Sequence, residues 1–289
     1  MELRQLRYFS VVAETRHLTR AAEELGIRAT SLSQQLLALE KELGTALFDR
    51  TPRGMAPTAA AHALLPYAHR ALNAAAAGAR AAASAGTNQP WRIGVTPGAP
   101  PETLAALHAA AADPHTAVGE LDAHDLPVSA QLSALRRADL DAALIVLPAA
   151  TDELEVHVVS DRPLGVLVST AHPLADRAIE WADLAGQDLL WFDRDLAPGY
   201  YDATLDALAR AGWRPRRIRV GPPRRALFRA ELAQPQVIAI RPRWDESLDG
   251  VVWRALPDPP RLRHALVWDA AHPNAARLAE LAAHLAAEA

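Results

Sequence analysis

The stretch "LGIRATSLSQQLLALEKELG" (residues 25–44) carries a glycine near each end and leucines at Leu32, Leu36, Leu39 and Leu43. Leucines three or four residues apart mark an amphipathic helix with one apolar face. Gly26 and Gly44 suit the positions just beyond helix ends, where glycine takes the left-handed backbone at little cost. The other face holds Ser31, Ser33, Gln34, Gln35 and Ala38. That helix alone fits two readings. Its polar face is simply solvated, or its first side chains exchange hydrogen bonds with base edges in a major groove. The flanking sequence has to decide.

Upstream, "LRQLRYFSVVAE" (3–14) places Leu3, Leu6, Phe9, Val12 and Ala13 at helical spacing, and Thr19 offers an N-cap for "RAAEEL" (20–25). Two short helices joined by a glycine-bearing turn are the signature of a helix-turn-helix. Downstream, "ALFDRTPRGMAPT" (46–58) reads as a two-stranded wing with Pro52-Arg53-Gly54 at its tip. Arg50 and Arg53 would flank that tip, where arginine suits phosphate or a narrow minor groove.

Residues 59–85 turn helical and alanine-rich, with Leu64, Leu65, Ala68, Leu72, Ala75, Ala76 and Ala79 on one stripe. So small a face needs a partner helix. "SAGTNQP" (84–90) then punctuates the chain as a polar linker. Beyond it, strand and helix patterns alternate: "WRIGVT" (91–96), "PPETLAALHAAAA" (100–112), "AVGELDAH" (117–124), "VSAQLSALRRADL" (128–140) and "DAALIVLP" (141–148). This rhythm continues to the C-terminal helix pattern and predicts α/β architecture.

The chain has 289 residues, enough for about two domains, and half of them are hydrophobic. It has no cysteine, which excludes disulfides, a thiol nucleophile and thiolate metal sites. No apolar run reaches the length of a membrane helix, and the N-terminus has no signal-peptide pattern, so a cytoplasmic location without membrane partners is expected. The net charge of -4 is unevenly spread. Residues 1–70 hold nine cations and seven anions, and the rest hold 21 and 27. That permits a nucleic-acid face at the N-terminus. The histidines lack metal-ligand spacing, and neither a nucleophile–base pair nor a phosphate loop is present. No cofactor, no metal and no enzymatic activity are expected.

Taken in order, "MELRQLRYFSVVAE" (1–14), "LTRAAEELGI" (18–27), "LSQQLLALEKELGTALFDRT" (32–51) and "PT" (57–58) resemble the N-terminal pattern of the LysR-type transcriptional regulators. "LDAALIVLP" (140–148), "STAHPLADR" (169–177), "FDRDLAPGYYD" (192–202) and "ARAGWRPR" (209–216) resemble that family's effector domain more loosely. The resemblance implies an α+α/β fold: a winged helix-turn-helix over 1–58, a long linker and dimerisation helix over 59–88, and an effector domain over 91–289. The last is implied to be periplasmic-binding-protein-like, with subdomain I at about 91–160 plus 265–289 and subdomain II at about 161–264. It also implies a homodimer or homotetramer on an inverted repeat of double-stranded DNA, responding to a small anionic or aromatic effector. The competing class is a cytoplasmic small-molecule binding protein; a variant is a regulator with a vestigial pocket and no effector.

On that resemblance the DNA-binding candidates are Arg28, Ala29, Thr30, Ser31, Ser33 and Gln34, with Arg50 and Arg53 in the wing. The family usually opens this helix with Ser-Gln-Pro and has Arg at the place of Gln34. Here Arg28, Ala29 and Thr30 stand there, which makes Thr30 the expected cap and points to an altered operator. Thr58 is expected to cap the linker helix. Ligands of open α/β sheets bind where strand ends meet helix starts, so Thr96, Gly98, His124, Phe192, Pro198 and Arg224 are the effector candidates. The helix starts themselves are expected to offer amide N–H groups to an anion. "Gln234-Pro235-Gln236" replaces a glycine-bearing turn of the family and predicts a changed pocket wall.

Overall fold

The computed structural model describes residues 1–52, 54–83, 90–112, 120–222, 224–243 and 249–288; Arg53 and the side chain of Arg50 lie outside that description. The head is built from α1 (Leu3–Thr15), α2 (Leu18–Glu24), α3 (Ala29–Leu43), β1 (Phe48–Thr51) and β2 (Gly54–Pro57). Leu6, Phe9, Val12, Ala21, Leu32, Leu36, Leu39, Leu47 and Phe48 form its core, and Phe9 stacks obliquely on Phe48. Two expected members stay outside. Leu3 and Leu43 are exposed, because each stands at a helix end beyond the packed turns.

Helix boundaries correct the expected caps. His17 is the residue before α2, so Thr19 stands inside its first turn. Likewise α3 starts at Ala29, with extended Arg28 before it and no side chain capping it. Thr30 is therefore the second helical residue, two positions past the N-cap, where a side chain would have to stand to accept the capping hydrogen bond. Gly26 and Gly44 do take positive φ, 64° and 69°, at the two helix ends. The wing pairs antiparallel, Phe48 with Pro57 through Thr51 with Gly54. It packs tightly onto the end of α1: the Met55 N–H donates to Arg16 O at 2.8 Å, and a Cβ on Gly54 would come within 2.3 Å of that oxygen.

Thr58 joins wing to helix as expected. Its Oγ1 donates to Ala46 O and accepts the Ala61 N–H, capping α4 (Ala59–Ala83). The first half of α4 seats Ala61 and Ala68 on the head, whereas Ala75 and Ala79 are exposed.

The body contains β3 (Trp91–Val95), α5 (Pro101–Ala112), β4 (Leu121–Asp125), α6 (Val128–Arg136), β5 (Ala142–Leu147), β6 (Leu154–Ser169), β7 (Asp188–Trp191), α7 (Pro198–Arg210), β8 (Ile218–Val220), α8 (Arg225–Leu232), β9 (Val237–Pro242), β10 (Val251–Ala255), β11 (Arg261–Asp269) and α9 (Ala275–Glu288). Two lobes share long strands. In the first, β3 lies parallel to β4 and β5, and β11 runs antiparallel between β5 and the first half of β6. In the second, β7 lies parallel to β8 and β9, and the second half of β6 pairs antiparallel with β9 and β10. Strand β6 thus leaves one sheet and enters the other near Leu164. The β6–β11 ladder slips register between His264 and Ala265, next to that crossing. Bulges of this kind bend strands where they change sheets.

The turn Gln234–Gln236 has a clear anchor. Asp188, with no exposed side-chain surface, accepts from Arg216 and Arg219 at 2.8 and 2.9 Å; Arg219 also reaches Glu231 and Gln234. Gln234 is thereby used as a hydrogen-bond partner, and since none of Gln234, Pro235 and Gln236 lines the cavity between the lobes, this turn does not change its wall as expected.

Candidate functional site

Two surfaces carry the chemistry. On the head, Arg28, Thr30, Ser31 and Gln34 are exposed along the N-terminal turns of α3, with Ala29 and Ser33 half-buried. Arg4 and Tyr8 of α1 line a hollow with Gly26, Arg28, Ser31 and Gln35. Arg4 of α1 and Arg28 just before α3 therefore border the same edge of α3, which suits a phosphate backbone beside a groove. Arg4 was not singled out from sequence; its position beside Arg28 depends on how α1 crosses α3. Arg50 lies in β1 opposite Met55.

In the body, a cavity of about 120 Å³ opens between the lobes. Of the expected effector residues, the fold brings Thr96, Gly98 and Phe192 into its lining. His124, Pro198 and Arg224 are not among the lining residues. His124 sits on β4, the outer strand of its sheet, beside Asp122 at 3.1 Å. Pro198 opens α7 and yields the wall to Leu196, Ala197 and Tyr200. Arg224 precedes α8 and is exposed.

The expected amide donors are also reduced. Pro97, Pro100 and Pro101 have no N–H, and the Ala99 N–H is spent on Thr96 O. Thr96 is itself committed: its hydroxyl donates to Leu144 O and accepts from Gln131 Nε2 at 3.1 Å.

Positive charge comes instead from strands. Arg162 of β6 and Arg241 of β9 line the cavity with His264 of β11 and Glu102 of α5. Arg241 lies over the Phe228 ring, 4.6 Å from its centroid, and burial lowers its pKa to about 10 while Tyr200 opposes that fall. It remains a cation at neutral pH. Burial also depresses His264 to about 4, helped by Arg162, so the imidazole is neutral. Its Nδ1 and the Trp191 Nε1 are sealed from solvent without a hydrogen-bond partner among the described residues. Arg162 forms an ion pair with Glu102. The remaining walls are apolar, including Val146, Leu262 and an aromatic set in which Phe192 stacks on Tyr200 at 5.8 Å and meets Trp191 at 4.9 Å. None of Glu102, Arg162, Trp191, Tyr200, Arg241 or His264 was foreseen, because they lie on separate elements without a shared motif.

A winged helix-turn-helix head joined by one long helix to a two-lobed body with a cleft defines a DNA-binding regulator with an effector-binding domain. Family models agree. "Bacterial regulatory helix-turn-helix protein, lysR family" matches residues 3–62, and "LysR substrate binding domain" matches residues 84–289. The chain belongs to the LysR family of bacterial transcriptional regulators.

Similar proteins include the regulator BudR of Raoultella terrigena, 32% identical over 225 residues that cover 73% of this chain and 74% of BudR. The regulator IlvR of Caulobacter vibrioides is 31% identical over 278 residues, 93% of this chain and 92% of IlvR. Among solved structures, a Corynebacterium glutamicum OxyR C206 mutant is 26% identical with a TM-score of 0.59, covering 99% of this chain and 91% of that one. Full-length CbnR complexed with its target DNA shares the fold at 23% identity and a TM-score of 0.53, over 100% of this chain and 99% of that one. Members of the family bind DNA and small effectors and form oligomers. Among the described residues, no helix is long and apolar enough to cross a membrane.

Proposed function

We propose that this chain is a sequence-specific, effector-responsive regulator and not an enzyme. Its operator contacts are Arg28, Ala29, Thr30, Ser31, Ser33 and Gln34 on α3, with Arg50 and Arg53 in the wing. Its effector is a small anionic compound, aromatic or aliphatic, held in the cavity between the lobes. One observation carries the effector class: two arginines from different strands line one small, largely apolar cavity. A desolvated guanidinium is a strong partner for a carboxylate, and the apolar walls accept a compact body. Without cysteine, a thiol response to oxidants is closed to this chain, although some relatives are named as probable hydrogen peroxide-inducible gene activators.

Selection from a random DNA pool at low salt tests the operator half; enrichment of an inverted repeat is expected, and none would overturn it. Thermal-shift screening with small carboxylates tests the effector half. A compound that stabilises the wild type should lose its effect in Arg241→Gln. A second reading has its own observation: Glu102 already neutralises Arg162, as in a cavity that needs no ligand. Absence of stabilisation by every carboxylate would favour it.

A further inference from the structure

Glu102 stands in the first turn of α5, in the first lobe, and Arg162 on β6 where that strand passes between lobes. Both line the cavity, and Glu102 is the acidic residue in its wall. These two form an ion pair, and Glu102 Oε1 is sealed from solvent. A carboxylate tethered to a helix reaches the guanidinium from one fixed direction. A free carboxylate can align both oxygens with it, and such bidentate pairs are the stronger ones.

We propose that Glu102 is a built-in stand-in for the effector, and that the effector is a compact carboxylate which displaces Glu102 from Arg162. This rests on the cavity being the effector site. The incoming carboxylate takes the guanidinium, its body replaces water against Val146, Leu262 and Phe192, and Glu102 turns toward solvent. Because Glu102 belongs to α5 and Arg162 to the crossing strand, the exchange releases a tie between the first lobe and the strand shared by both. The signal is thus a charge partner changed at the hinge. Specificity follows as well: neutral isosteres leave Glu102 in place, since they offer Arg162 nothing in return.

Sodium acetate is the probe. In Glu102→Ala the space beside Arg162 is vacated, so acetate should raise the melting temperature saturably, with an apparent affinity about tenfold or more above wild type. Sodium chloride at equal ionic strength serves as control, and Arg162→Met added to Glu102→Ala should abolish the effect. Should the alanine variant not fold, Glu102→Gln reads the same preference, because its amide cannot neutralise Arg162. Equal acetate response in wild type and variant overturns the proposal. Acetate that binds the variant without moving its operator affinity upholds the exchange and overturns the sensing role of the cavity.

Discussion

Arg137, just beyond the last turn of α6, places Nη1 3.6 Å from Glu14 of α1 and 4.0 Å from Glu24 at the end of α2. The effector body therefore grips its own DNA-binding head through charge. Burial raises the Glu14 carboxyl above the usual carboxylate range, and Arg137 and Arg136 pull it back toward ionisation. A second tie runs from Asn73 of α4 to Asp269 of β11. In Arg137→Gln the half-buried Glu14 loses its main counter-charge. Amide exchange in α1 and α2 should speed up, with head stability lower by about 1–2 kcal/mol. Exchange as slow as in wild type would show that the contact holds nothing.

Acid should loosen the protein before carboxylates titrate. Burial depresses both His69 and His264 to about 4 from 6.5. For His69, Asp269 opposes that fall while Arg136 and Arg137 add to it; Glu14 approaches Nε2 at 3.8 Å, but a neutral imidazole makes no ion pair there. Groups depressed in the folded state contribute stability that is full above pH 6.5 and lost as pH falls toward 4. Each should cost about 1–2 kcal/mol at pH 5 relative to pH 7. Glu14 works in the other direction, since a raised carboxyl loses stability as pH rises through its folded value. Denaturant titrations at the two pH values should show a smaller difference in His69→Gln. An unchanged difference would assign the acid sensitivity elsewhere.

Gly199, second residue of α7 in one lobe, lies against Pro148 just after β5 in the other. A Cβ there would stand 2.4 Å from Pro148 O, closer than backbone atoms can tolerate. Gly199→Ala should push the lobes apart at this contact. We expect altered operator affinity, weaker carboxylate binding and a wider molecule in small-angle scattering. A strained closed form would instead lose about 1–3 kcal/mol with no change in shape.

On the head, Arg28→Ala should weaken binding to all sequences and lower the salt slope by about 1, as removal of a phosphate contact does. Gln34→Ala should instead relax preference at one base position, by about 1–3 kcal/mol. Because Thr30 lies inside α3 and caps nothing, Thr30→Ala should leave the melting temperature nearly unchanged. Loss of about 1 kcal/mol in that variant would restore the capping role.

The head was legible because its information is local. Leucine spacing, two glycines at helix ends and a turn-rich wing each act within a few residues, so "LGIRATSLSQQLLALEKELG" announces its own helix and its buried face. Cap positions were less legible. Thr19 and Thr30 are good capping types, but packing of Ala21, Ala22 and Leu32 set where the helices begin. A hydrogen bond of about 1 kcal/mol does not override burial of several side chains.

Sequence alone thus determined the architecture and the helix α3 with its buried leucine face and exposed polar face, since periodicity and turn chemistry write those directly into neighbouring residues. It pointed to strand ends and helix starts for the cleft, and Thr96, Gly98 and Phe192 do line it. Only the tertiary structure decided the charge in that cavity. Arg162, Arg241, His264 and Glu102 come from four elements up to 162 positions apart. Strand register and the crossing of β6 between two sheets bring them together, and burial then fixes their charge states. Neither register between distant strands nor desolvation leaves a mark in any single stretch of the chain.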